Sequence, residues 1–197
     1  MSPLLEALTT FEEHTRTLGI NACRSYRPGL RAEQVGTALR AEGLAAHPDL
    51  LTWYQWHDGN FDTAFSEPPP VDAGPWGSLH VLPTVMFWSL RAALLSRRWY
   101  RDEAVIKEGL AFPEWTETML PIFDGPAQGM TWFDTDNGVI GAMIDNDYLV
   151  AAQTLVELVE RWNSRFRDGV YYRNDRGNID ERDELLVNRD GPGYSRL

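Results

Sequence analysis

The sequence predicts an α+β fold, an antiparallel sheet flanked by helices, on three observations. Apolar residues recur at helical spacing through the first half and again near the end, each stripe bounded by cap or breaker residues. Short β-rich runs flank Asp136-Asn137-Gly138 in the second half. Twenty-three aromatics among 197 residues supply enough area for a full core, since each can bury roughly 150–250 Å². The chain 1–197 is therefore read as a single domain, domains commonly running to roughly 100–200 residues.

The elements follow in order. Ser2 can cap a first helix with Pro3 in its first turn, and Leu4, Leu5, Leu8, Phe11 and Leu18 keep helical spacing until Gly19. A second helix is expected over Arg31–Arg40, with Val35 and Leu39 on one face and Gly43 as its stop. Pro48 and Asp49 open a third, with Leu50, Leu51, Tyr54 and His57 inward and Gly59 just past its end. From Asp58 to Gly77 the chain turns to Pro, Gly and acids and reads as a long loop, followed by a short strand over Leu79–Leu82. Thr84 or Ser89 starts a helix to about Glu108, with Arg91, Arg97, Arg98 and Arg101 on its non-apolar faces. Strands are expected over Met119–Phe123, Gly129–Thr135 and Val139–Ile144. The last two should form a hairpin through a type I′ turn at Asn137-Gly138, because both residues tolerate positive φ. Leu149–Phe166 reads as an amphipathic helix, and Val170–Tyr172 as a further short strand.

Charge is the second source of information. Eighteen Lys+Arg stand against 29 Asp+Glu, a net charge of -11. Nucleic acid and anionic membranes are thereby disfavoured as partners, because both are bound through Lys and Arg on phosphates. A basic protein partner is expected instead. The imbalance is local: Asp58–Pro83 holds Asp58, Asp62, Glu67 and Asp72, and Pro113–Val150 holds Glu114, Glu117, Asp124, Asp134, Asp136, Asp145 and Asp147. Neither segment contains a Lys or Arg, and their eleven acids equal the whole net charge. The one cysteine, Cys23, excludes an intramolecular disulfide framework. Met1–Ile20 carries Glu6, Glu12 and Glu13 and lacks the basic and apolar regions of a secretory leader, so a cytoplasmic location is expected.

Catalytic constellations are sparse. His57-Asp58 lacks the further ligands that a metal would need, and Asp134-Thr135-Asp136 departs from a calcium loop at its fifth, sixth and twelfth positions. The pairs Asp134/Asp136 and Asp145/Asp147 could serve a carboxylate-dependent hydrolase, but the hairpin should place them at opposite ends. No serine lies in a nucleophile elbow, and no phosphate-binding fingerprint occurs. Neither enzyme activity, cofactor nor metal is expected. Trp76, Trp115 and Trp132 read as core packing or, beside the acids, as aromatic anchors of an interface.

Several short motifs in a fixed order carry a family resemblance over Arg31 to Asp168. A helix ends in Trp56-His57-Asp58-Gly59; Trp115 precedes Leu120-Pro121-Ile122; Gly129 to Asp134 forms the next run, and a glycine-bearing hairpin with Asn137 and Gly138 and an amphipathic helix follow. This pattern resembles the SUKH superfamily, which includes a yeast cell-wall assembly regulator and many bacterial proteins. Met130 stands where its members often carry Asp or Ser. The resemblance implies an α+β domain without catalytic activity. It also implies an immunity protein that neutralises a cognate toxin, often a nuclease, or a regulatory scaffold for cell-wall or signalling proteins. The partner-binding residues expected on this reading are Asp58, Asp62, Glu67, Asp72, Trp76, Asp134, Asp136, Asp145 and Asp147.

Overall fold

The computed structural model describes residues 2–20, 26–60, 86–101, 115–124, 130–144 and 147–182. Helix α1 spans Pro3–Thr17, and Ser2 caps it by accepting a hydrogen bond from the Leu5 N–H at 3.2 Å. Strand β1 (Tyr26–Pro28) leads into α2 (Ala32–Ala41), where Gln34 accepts from the backbone of Arg31 and so satisfies a free N–H at the helix entrance. Helix α3 (Pro48–Trp56) starts on His47, whose ring nitrogen accepts from Asp49 N–H, and runs directly into β2 (His57–Asn60). Strand β3 (Met86–Phe87) precedes α4 (Leu90–Tyr100), capped by Ser89. Then come β4 (Met119–Asp124), β5 (Met130–Asp134), β6 (Ile140–Ile144) and β7 (Asp147–Ala152). Helix α5 (Leu155–Arg167) and a final pair, β8 (Tyr171–Arg173) with β9 (Ile179–Glu181), complete the described chain.

The α+β expectation holds. A five-stranded antiparallel sheet has the order β3-β4-β5-β6-β7, and β1-β2 and β8-β9 form two small antiparallel pairs. Helices α1, α3, α4 and α5 contribute the core against it: Phe11, Leu50, Trp53, Leu90 and Trp162 are buried together with Phe87, Leu120, Ile122, Phe123 and Phe133. Trp162 is in ring contact with Phe11, Phe87 and Phe123, and Asn163 donates to the Ala7 carbonyl at 2.9 Å, fixing α5 on α1. In β4 the register slips between Pro121 and Phe123, so Ile122 and Phe123 both join the core despite being adjacent. The sheet carries a second, smaller cluster away from this core: Met119 and Trp132, with Tyr100 and Trp115 against them. The Trp132 indole lies directly over Gly141, where an added Cβ would sit 2.5 Å from the ring. Glycine at 141 is what lets the indole lie flat on the sheet.

Several elements differ from expectation. Helix α3 stops at Trp56, and His57 belongs to β2, opposite Pro28. The segment read as the start of the last helix is strand β7; the helix begins only after Thr154, whose hydroxyl accepts from Glu157 N–H. Strands β1, β3 and β9 were not expected. Arg97, assigned with its neighbours to the outer faces of α4, is only 1% exposed and donates to the Glu117 carbonyl and carboxylate. Burial, with Arg101 adding to it, holds its pKa below the ordinary arginine value against the pull of Glu117 and Glu42. The strand expected over Leu79–Leu82 and the end of the α4 helix toward Glu108 lie outside the described residues.

The β5–β6 connection is also corrected. The strands pair antiparallel as expected, but Trp132 lies opposite Gly141 and Phe133 opposite Ile140, so the two-residue type I′ turn at Asn137-Gly138 does not form. Asp134 accepts from Asp136 N–H at 3.0 Å and from the Asn137 side chain at 2.9 Å, Asn137 accepts from Val139 N–H, and the Gly138 N–H reaches the Asp134 carbonyl. These side-chain bonds hold a wider turn. The register is displaced by two residues, which keeps every side chain on its expected face.

Helices α2 and α4 are tied by Glu42, which follows α2 and pairs with Arg98. The hydrogen bond from Arg98 chiefly lowers the Glu42 pKa, aided by the charges of Arg98, Arg97 and Arg101 and opposed by burial. A lowered carboxylate pKa stabilises the fold above the ordinary value of 4.5, and that contribution is lost as pH falls toward the folded-state pKa. In urea titrations at stepped pH, Glu42→Gln is therefore expected to be less stable than the parent above that value. The two should converge at lower pH.

Candidate functional site

The Trp56-His57-Asp58-Gly59 motif lies at the junction of α3, β2 and the entrance to α4. Trp56 donates its indole N–H to Glu12 of α1 at 3.1 Å. His57 stacks on Tyr26 with ring centroids 4.5 Å apart, its Nδ1 lying 3.2 Å from the Arg27 carbonyl and its Nε2 3.5 Å from Glu12. One carboxylate oxygen of Asp58 accepts from the Leu90 N–H, the first of α4, at 2.8 Å, and the other is 3.3 Å from Arg27 Nε. Two residues on, Asn60 accepts from Phe87 N–H. Alternate side chains of β2 thus fasten β3 and the start of α4, and the negative Asp58 also complements the positive end of that helix.

Asp58 is 6% exposed, which departs from its expected place on a partner-facing rim. Gly59 is a fold residue too: its φ is +72°, and an added Cβ would lie 2.7 Å from the Trp88 carbonyl oxygen and closer still to Ser89 N. It is a strand residue pressed on the α4 entrance, where the sequence suggested a helix stop.

The second acidic segment provides an exposed feature. In the β5–β6 turn Asp134 is half-buried and spends both oxygens on the turn itself, while Asp136 is exposed and its carboxylate has no partner among the described residues. A Cβ added at Gly138 of this turn would lie 3.1 Å from the His47 ring, so the turn sits close against the cap of α3. Asp147 opens β7 opposite Ile144, at the far end of β6, roughly 13 Å along the strand at 3.3 Å per residue. Asp134 and Asp147 therefore mark opposite ends of the sheet, as the sequence suggested. Asp62, Glu67, Asp72, Trp76, Gly129 and Asp145 lie outside the described residues. Trp132 is core-like at 1% exposure, and Trp115 is half-buried, stacked on Tyr100 at 5.2 Å; Pro121 is buried opposite Trp132.

Among the described residues no three His, Cys, Asp or Glu side chains are placed to hold a metal ion, and no helix is long and apolar enough to cross a membrane. Sequence reasoning missed a cleft of about 450 Å³ lined by residues of α2 and α4, with Asp58 among its walls. The spacing of its aliphatic residues along the chain does not show that the two helices leave a gap. No family model matches the chain, and no curated protein matches it.

Proposed function

We propose that the chain is a protein-binding domain of the SUKH type without catalytic activity, an immunity protein that neutralises a basic, nuclease-type toxin in the cytoplasm. One observation carries this reading: the whole net charge of -11 resides in two segments free of Lys and Arg. The exposed Asp136, unpaired among the described residues and carried on a turn braced by its own hydrogen bonds, supports it further. A nuclease must present cations to nucleic acid, and an acidic partner approaches such a surface by electrostatic steering. A turn ordered before binding loses little entropy on association.

The test is co-expression with the product of the adjacent gene in a toxicity assay, followed by association kinetics at two salt concentrations. Protection, with a rate constant that falls as salt rises, is expected. Asp136→Asn should slow association about two- to fivefold, as expected for a rim charge. Salt-independent binding, or capture of an envelope-biosynthesis protein without protection, would instead favour the regulatory-scaffold role.

A further inference from the structure

The cleft lined by α2 and α4 has about 450 Å³ of space, within the roughly 300–1,000 Å³ usual for small-ligand sites. Leu30, Ala38, Leu90, Leu94 and Leu95 give it aliphatic walls, and all but Leu90 are only half-buried. Four polar side chains complete it: Gln34, Asp58, Arg91 and Arg98. Asp58 is committed to Leu90 N–H and Arg27, and Arg98 to Glu42. Arg91 differs from these two charged groups: it is exposed and forms no ion pair among the described residues. The cleft therefore combines an apolar trough with one unmatched guanidinium, in a chain whose overall charge of -11 repels anions.

We propose that this cleft binds a medium-chain fatty-acid-class carboxylate, its alkyl chain along Leu30, Leu94 and Leu95 and its carboxylate on Arg91. Each methylene withdrawn from water contributes favourably, and a guanidinium–carboxylate contact is among the stronger charge-assisted hydrogen bonds. A cationic or neutral amphiphile would leave Arg91 unanswered. The site is separate from the exposed Asp136 turn, so the inference does not rest on the protein-binding reading.

Calorimetric titration of the full chain with decanoate tests it, with decanol as the neutral control. Saturable 1:1 binding of decanoate is expected, weakened about tenfold in Arg91→Gln. Arg91 is on the surface, so that variant should keep the parent's melting temperature. Leu95→Trp, which fills the trough, should abolish binding. Absence of saturable binding, decanol binding as tightly as decanoate, or an unchanged affinity in Arg91→Gln would each overturn the proposal.

Discussion

Gly59→Ala is expected to be strongly destabilising, lowering the unfolding free energy by about 3–5 kcal/mol. Two costs add. Alanine at φ +72° is held in the left-handed region at about 1–2 kcal/mol. Its Cβ would also overlap the backbone of Trp88 and Ser89, which cannot step aside without displacing the Leu90 N–H from Asp58. Gly43→Ala separates the two costs, because Gly43 has a similar φ of +75° and nothing within 4 Å of its added Cβ. Urea denaturation of both variants should show Gly43→Ala losing only about 1–2 kcal/mol. Equal losses in the two would mean that β2 does not press on the α4 entrance.

What was legible in the sequence and what was not divides by the range of the interaction. Ser2 and Pro3 announced α1 because a cap acts within a few residues, and Val35 and Leu39 announced the buried face of α2 for the same reason. The α+β class followed from counting such local signals. Strand β7 reads as helix because Ala151 and Ala152 locally favour helix over strand, although Thr154 with Glu157 three residues later is a local start signal for α5. Arg97 could not be placed from its neighbours: its partner Glu117 is 20 residues away, beyond the end of α4. The turn of β5–β6 was misjudged for a different reason. Asn137-Gly138 does favour a tight turn, but Asp134 competes with two hydrogen bonds of its own, and the wider loop wins.

The candidate site divides the same way. An unopposed run of acids is readable from composition, but its division into exposed and structural carboxylates depends on which backbone N–H groups lie nearby. Asp58 meets the first N–H of a helix that begins 32 residues later; Asp136 meets nothing described. Equal formal charges have unequal roles.

That inequality gives the second large prediction. Asp58→Ala should cost about 2–4 kcal/mol in denaturant unfolding: it takes the acceptor from the Leu90 N–H and the carboxylate from Arg27 in a nearly buried place. The lower end allows for the partial exposure of Arg27. Asp58→Asn keeps an oxygen for Leu90 and should lose roughly half as much. Asp136→Asn should leave the unfolding midpoint within about 0.5 kcal/mol of the parent, as exposed substitutions usually do, and act on association rate alone. The two positions should therefore separate cleanly, one moving stability and the other moving binding at constant stability. If Asp58→Ala were as stable as the parent yet lost the partner, Asp58 would belong to the binding face after all. Its bond to α4 would then be incidental to the fold.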